Sequence, residues 1–446
     1  MQDNKLGLVA RWSGTALVAA VVAWCTISTP YANSPPSRSD GVVYHAWTKA
    51  ILEWDFSFCS HVQDMGAEQF SSLDYKRGRC QLRYPPGLAL LQLPVMAFLV
   101  KRGPGEPFIS PAEHAAALVI AAIALILVAA LITDASRRLG ARPGPTAVAV
   151  TTGVLGTGLL HYATYDASFT HIYSALGFSL LLWLGARGAQ QDLPLAIAPL
   201  FLIGFFLVLL RSTNVLLLSA SALVAFAALR PDGTTWRDRR CLFRAIRNAA
   251  PAAAGALGGE IIQLTYNYYA TGHFALSSYG PATFHLEARH QLQVLWSYER
   301  GLLTWYPWVG VAVAVALLSR RVRPFGSALL GLIGVYATLY GFWQVWCLGG
   351  GFGHRGFVDI MPAAILSFAV ALDGLGRAAR TAAIAAGLLA AAITLELLAG
   401  YWRHTIDYTG TTSRIYWAHV LGKDSLLPIP LLKLDRGVVP RGTNCE

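Results

Sequence analysis

The chain has 446 residues, 55% of them hydrophobic and only 13% charged, with a formal net charge of +11. Soluble domains carry about 25% charged residues, so this composition excludes an ordinary soluble enzyme. Apolar runs recur from end to end, several about 20 residues long and enough to cross a hydrocarbon core, so a polytopic all-α membrane protein is expected. The alternating short segments of a membrane β-barrel are missing. The positive balance fits cationic loops kept on the cytoplasmic side of a membrane, and no nucleic-acid partner is implied.

In chain order, the first apolar run covers about residues 12–30 and follows Lys5 and Arg11, which puts its N-terminus on the cytoplasmic side. It lacks a good small-x-small cleavage pattern and reads as an uncleaved span. The long polar interval 31–88 is then outside. It carries Asp40, Tyr44, Glu53, Asp55, Asp64, Glu68, Asp74, Lys76, Arg77, Arg79 and Arg83, and ends in Tyr84-Pro85-Pro86-Gly87. Cys59 and Cys80 share it; a disulfide between them is an open alternative, because connectivity does not follow from sequence.

The next segment, 86–102, is short, opens with two prolines and ends in Lys101-Arg102, and we assign it to a juxtamembrane helix on the outer face. Further spans are expected at 112–133, 144–162, 171–187, 193–210, 212–229, 249–268, 303–319, 325–345, 357–374 and 381–401. With about eleven spans, all dense arginine clusters fall on one side: residues 137–142, 230–247, 320–323 and 377–380. The transmembrane domain would cover 1–401 and an outer tail 402–446. Ala- and Gly-rich stretches at 249–259 and 381–392 suit close helix packing in lipid.

This topology gathers the unusual polar residues on the outer face. Asp40 lies about ten residues past the first span, with Tyr44 one helical turn on. A general base that deprotonates an acceptor hydroxyl is one role for Asp40; a helix N-cap is the other. Asp166 sits in the short hairpin Tyr162-Ala-Thr-Tyr165-Asp166-Ala-Ser-Phe-Thr-His171, where it could assist the base, orient the acceptor, hold a cation or cap a helix. His171 could bind a phosphate or carry a proton, or be a hydrogen-bonded structural ring. Arg211 is the only charge in the 193–229 stretch and suits either an anionic phosphate or snorkelling to the interface. The segment Trp343-Gln-Val-Trp346-Cys-Leu-Gly349-Gly350-Gly351-Phe-Gly353-His354-Arg355 leads to Asp359. Its glycines would let the loop approach a ligand closely. Motifs for nucleotide binding, zinc proteolysis and serine hydrolysis are missing, so an activated donor would arrive in the membrane.

These residues resemble the C-type (GT-C) integral membrane glycosyltransferases, and among them the bacterial group related to protein O-mannosyltransferases and the aminoarabinose transferase. The resemblance lies in five features in order: the outer Asp40 soon after span 1, the Tyr84-Pro85-Pro86-Gly87 turn, the Asp166 hairpin, Arg211-Ser-Thr-Asn214, and Gly301-Leu-Leu-Thr-Trp-Tyr-Pro307 followed by residues 343–362. It covers most of residues 8–375. It implies a polyprenyl-phosphate-linked sugar donor, an acceptor that is a glycan, lipid or protein, and transfer at the periplasmic face of a bacterial inner membrane. By resemblance Asp40 matches the family's catalytic carboxylate and Asp166 its second acidic position. Tyr44, Arg83, Tyr84, His171, Arg211, Trp346, His354 and Arg355 are the substrate-binding candidates, with Arg211 and Arg355 on the donor phosphate. Two departures stand out: Gly41 follows Asp40 where the family often has a second acid, and Tyr84 stands where the aminoarabinose transferase group has a lysine. The resemblance implies no certain cofactor, and a divalent cation is left open. A transporter or lipid flippase is the alternative function, although the polar residues gather on one face and not at the midplane.

Overall fold

The structure, a computed structural model, describes residues 2–28, 35–65, 71–74, 78–100, 107–191, 197–218, 239–275, 284–407 and 410–422. The side chains of Glu68, Lys76, Arg77 and Arg237, and residues 219–229 of the expected sixth span, lie outside these residues. The fold is helical. Four helical stretches among the described residues are long and apolar enough to cross a membrane: Pro111–Arg138, Arg323–Gly341, Arg355–Gly374 and Arg377–Trp402. Gly87–Met96, Ile197–Leu210 and Pro307–Leu318 are apolar but shorter.

The chain forms two compact units. The first comprises Met1–Val18, Ala129–His161 and Ala282–Glu446, and the second comprises Ala19–Val128 and Tyr162–Pro281. Among the described residues three helices contribute to both: α1 (Gln2–Ser28), α5 (Pro111–Arg138) and the short α7 (Leu159–Thr164).

The second unit holds α2 (Asp40–Glu53), α3 (Cys59–Met65) and an antiparallel hairpin of β1 (Ser71–Asp74) and β2 (Arg79–Leu82). α4 (Gly87–Met96) follows. The hairpin pairs Ser71 with Leu82 and Asp74 with Arg79, and it is the one sheet among the described residues of a chain expected to be all-α. A disulfide joins Cys59 on α3 to Cys80 on β2, which closes the alternative left open above. β2 docks on α10 (Arg239–Thr271): the Leu82 N–H donates to Tyr266 Oη at 2.8 Å, Gln81 Nε2 donates to Asn267 Oδ1 at 3.2 Å, and Arg79 Nη1 donates to the Tyr269 carbonyl at 2.6 Å. α10 packs along α9 (Ile197–Leu210) through small residues: a side chain on Gly204 would strike the Ala252 backbone, and one on Gly255 the Phe201 backbone. α10 starts at Arg239, so the basic stretch expected as a loop to residue 247 is helical from there. α8 (His171–Gln191) completes this unit.

In the first unit, α6 (Pro143–Leu155), α13 (Pro307–Leu318), α15 (Met361–Gly374) and α16 (Arg377–Trp402) pack together, with α15 buried along nearly its whole length. Trp308 Nε1 donates to Thr152 Oγ1 at 3.0 Å, tying α13 to α6. Several expected spans are broken. The 144–162 span ends as α6 at Gly156 and resumes as the short α7 (Leu159–Thr164). The 303–319 span divides into α12 (Leu302–Trp305) and α13 at Pro307, which has no N–H to continue the ladder. The 357–374 span begins as a 3₁₀ turn, Arg355–Ile360, before α15 starts with Pro362 in its first turn. α11 (Gln291–Trp296) and α14 (Arg323–Gly341) pack on each other. In the expected tail, α17 (Ser413–Leu421) packs on α16, with Thr412 Oγ1 capping its N-terminus through the Ile415 N–H.

Candidate active site

The candidate residues divide between the two units. Asp40, Tyr44, Arg83, Tyr84, Asp166, His171 and Arg211 belong to the second; Trp346, His354 and Arg355 belong to the first.

In the second unit the segment before α2 is the organising element. Asp40 opens α2, where the helix dipole favours a carboxylate, and is buried, with its Oδ1 3.4 Å from Ser39 Oγ. Ser39 sits at φ 48°, ψ −124°, outside the comfortable range for a residue with a side chain. Such strain is stored where the surrounding structure over-determines it, and it concentrates at functional sites. The Gly41 N–H donates to the Arg38 carbonyl at 2.8 Å and the Val42 N–H to the Ser39 carbonyl at 3.0 Å, so the first turn is closed around the strained residue.

Arg38 joins the candidate residues on its geometry alone. Its Nη2 donates to Asp166 Oδ1 at 2.6 Å, and its guanidinium lies 4.2 Å from the Tyr165 ring centroid. Arg38 therefore ties the α2 entry to the 162–171 hairpin. Its position two residues before Asp40, after Pro35-Pro36-Ser37, was the available signal. Gly41 packs against the same hairpin: a Cβ there would lie 1.7 Å from Ser168 Oγ, which donates to the Pro36 carbonyl at 2.9 Å. The family's second acid after Asp40 could not fit at Gly41 in this arrangement.

Tyr44 and Tyr84 meet, with ring centroids 5.0 Å apart, and Tyr44 Oη lies 3.5 Å from Thr170 Oγ1. The Tyr84 carbonyl accepts from Trp47 Nε1 at 2.8 Å, so α2 also holds the Pro-Pro turn. Arg83, half-buried, sits between β2 and that turn. His171 opens α8, and Arg211 Nη1 donates to its Nδ1 at 2.9 Å, which leaves the imidazole proton on Nε2. The Tyr162 ring packs on His171 at 5.1 Å. Arg211 precedes the 3₁₀ turn Ser212–Asn214, and Asn214 Nδ2 fastens that turn to Ser174 Oγ at 2.8 Å.

The first turn of α5 braces the α2 segment from two sides. Glu113 Oε1 lies 2.9 Å from His45 Nε2, with both side chains almost fully buried. The neighbouring His114 Nδ1 accepts from the Ser37 N–H at 3.2 Å. Ser110 and Glu113 form a reciprocal capping box: the Ser110 N–H donates to Glu113 Oε2 at 2.7 Å, and the Glu113 N–H donates to Ser110 Oγ at 3.4 Å. Ser37 and His45 bracket Asp40, so one helix end fixes both sides of the carboxylate.

In the first unit, His354 is fully buried between Tyr340 and Phe357, and its Nε2 donates to the Trp346 carbonyl at 3.1 Å. Burial pushes its pKa down to about 3, with Arg355 and Arg300 adding to the effect, so it is neutral at physiological pH. It holds the turn as a structural ring. The glycine-rich run also has a packing reason: Gly353 has φ +58°, and a Cβ there would lie 2.5 Å from the Tyr306 ring, whose hydroxyl donates to the Phe352 carbonyl at 2.6 Å. His290 stacks on Trp346 at 6.1 Å. Arg355 begins the 3₁₀ turn, half-buried.

The fit to a divalent cation is poor. Among the described residues no group of three His, Cys, Asp or Glu side chains is placed to hold one. Asp166, the acid proposed for a cation, has Oδ1 taken by a guanidinium.

No protein-family model matches the chain, and no curated protein matches it. Solved structures of the Archaeoglobus fulgidus oligosaccharyltransferase do. AglB, in complex with an inhibitory peptide and a dolichol-phosphate, is 14% identical with a TM-score of 0.47 over 85% of this chain and 55% of that one. The complex with Zn and sulfate is 14% identical with a TM-score of 0.46, over 91% and 54%. The apo form is 14% identical with a TM-score of 0.48, over 98% and 61%. The chain thus spans less than two thirds of the length of these structures.

Proposed function

We propose that the protein is a membrane glycosyltransferase of the GT-C type, moving a sugar from a polyprenyl-phosphate-linked donor to an acceptor hydroxyl at the outer face of a bacterial inner membrane. The observation that carries this reading is the Arg38-Ser39-Asp40 segment. A buried carboxylate is held at a helix start by a strained residue, and the preceding arginine joins it to the second acid, Asp166. The order of motifs that resembles the GT-C enzymes supports the same reading.

In this mechanism Asp40 takes the proton of the acceptor hydroxyl as the oxygen attacks the anomeric carbon. The bond from that carbon to the phosphate oxygen breaks, and polyprenyl phosphate leaves with the electron pair. Arg211 is our candidate for the charge that develops on it. Its guanidinium is held by His171, which gives it a fixed direction. Tyr44 and Tyr84 offer a paired aromatic wall for a sugar face. Arg83, Trp346 and Arg355 are further substrate-binding candidates. The disulfide between Cys59 and Cys80 supports an oxidising compartment for this loop.

The test is a deletion strain whose lipid extracts and surface glycans are compared with the parent by mass spectrometry. The reading expects a polyprenyl-phosphate sugar to accumulate and one glycan, lipid or protein to lose a sugar. Unchanged lipids and glycans, together with a lost transport activity, would favour the transporter reading.

A further inference from the structure

Asp166 is 3% exposed, and a carboxylate that deeply buried needs a positive partner to remain ionised. At a phosphate-handling site that partner is a metal ion or a cationic side chain. Here the partner is Arg38, 2.6 Å from Asp166 Oδ1. The guanidinium is built in place. Its flat face lies against Tyr165, the Arg38 carbonyl closes the first turn of α2, and the preceding Ser37 N–H is bonded to His114 Nδ1 on α5. Arginine keeps its charge at every working pH and presents a rigid fork, so this cation does not come and go. A divalent ion bound at Asp166 would face a fixed like charge within a few ångströms, or would have to expel Arg38 and break the part-buried pair.

We infer that Arg38 occupies at Asp166 the place a divalent cation would take, and that the site uses this built-in guanidinium without a metal. The inference rests on reading the site as a sugar-phosphate transferase. Arg38 is then a positioning residue: it pairs with Asp166 and fixes the strained Ser39-Asp40 link to the hairpin.

The experiment uses the full chain in detergent or nanodiscs with Mn²⁺ alone as the probe. Thermal unfolding is followed with chelator, without it, and through a Mn²⁺ titration, for the parent chain and Asp166→Asn. The inference expects no saturable Mn²⁺ stabilisation of the parent and no loss on chelation. A saturable rise in the parent that Asp166→Asn abolishes would overturn it. A second arm measures transfer from a polyprenyl-phosphate sugar in membranes. Chelator should leave the parent rate intact, and Arg38→Gln should lose more than Arg38→Lys, by about tenfold or more. Loss of the parent rate on chelation, restored by Mn²⁺, would also overturn the inference. If no transfer is found under any condition, the transferase reading fails, while the Mn²⁺ titration still decides the cation question.

Discussion

Gly41 leaves no room for a methyl group. An added Cβ would stand 1.7 Å from Ser168 Oγ and 2.5 Å from its Cβ. Gly41→Ala should therefore push α2 off the 162–171 hairpin, lowering stability by about 1–3 kcal/mol and displacing Asp40; a thermal melt in detergent checks the first effect. His354 gives a pH dependence. Its folded pKa is held down to about 3 by burial, whereas in the unfolded chain it titrates near its ordinary value. Between those two values the unfolded state binds the extra proton, so stability is complete above the ordinary histidine range and falls as pH drops toward 3. Melting temperature against pH should show that slope, and His354→Gln should flatten it. Asp40, Tyr84, Asp166 and Arg211 stand out as candidates in the sequence because polar groups are conspicuous in an apolar chain. Arg38 was not, because its role is made by a partner 128 residues away. His354 drew notice for its chemistry, yet its burial makes it a packing residue.

Elements differ in how far their boundaries could be read. Pro111–Arg138, His171–Gln191, Arg323–Gly341 and Arg377–Trp402 follow their apolar runs, since in lipid only a helix satisfies the backbone. The interruptions at Gly156, Pro307 and Arg355–Ile360 were not visible, because hydropathy averages across a single broken hydrogen bond. The β1–β2 hairpin is short and polar and gave no alternating signal. It nevertheless matters to the site: β2 runs directly into Arg83-Tyr84, and its anchors are Tyr266, Asn267 and the Cys59–Cys80 bridge. The bridge closes a loop of 21 residues, so Cys59→Ser with Cys80→Ser should cost about 2–4 kcal/mol. Non-reducing peptide mapping should find the linked pair in the parent, and the melt of the double variant should show the loss.

At the scale of the whole molecule, membrane character was legible from composition, while the number of spans was not. About eleven apolar segments were expected, and four helical stretches among the described residues have the length and composition to cross alone. Shorter helices such as Ile197–Leu210 carry apolar runs that are cut by turns. The sidedness argument rests on arginine clusters and is testable without knowing the substrate. His285→Cys should react with a membrane-impermeant maleimide in intact cells, whereas Arg377→Cys should react only after permeabilisation. Labelling of both positions in intact cells would contradict the assignment.

In the proposed mechanism Asp40 is the base of a lipid-linked sugar transfer. Asp40→Asn keeps the size and the helix-start position and removes only the proton acceptor. In membranes supplied with a polyprenyl-phosphate sugar, Asp40→Asn should insert at the parent level and lose transfer. Parent-level transfer by a well-inserted Asp40→Asn chain would contradict it.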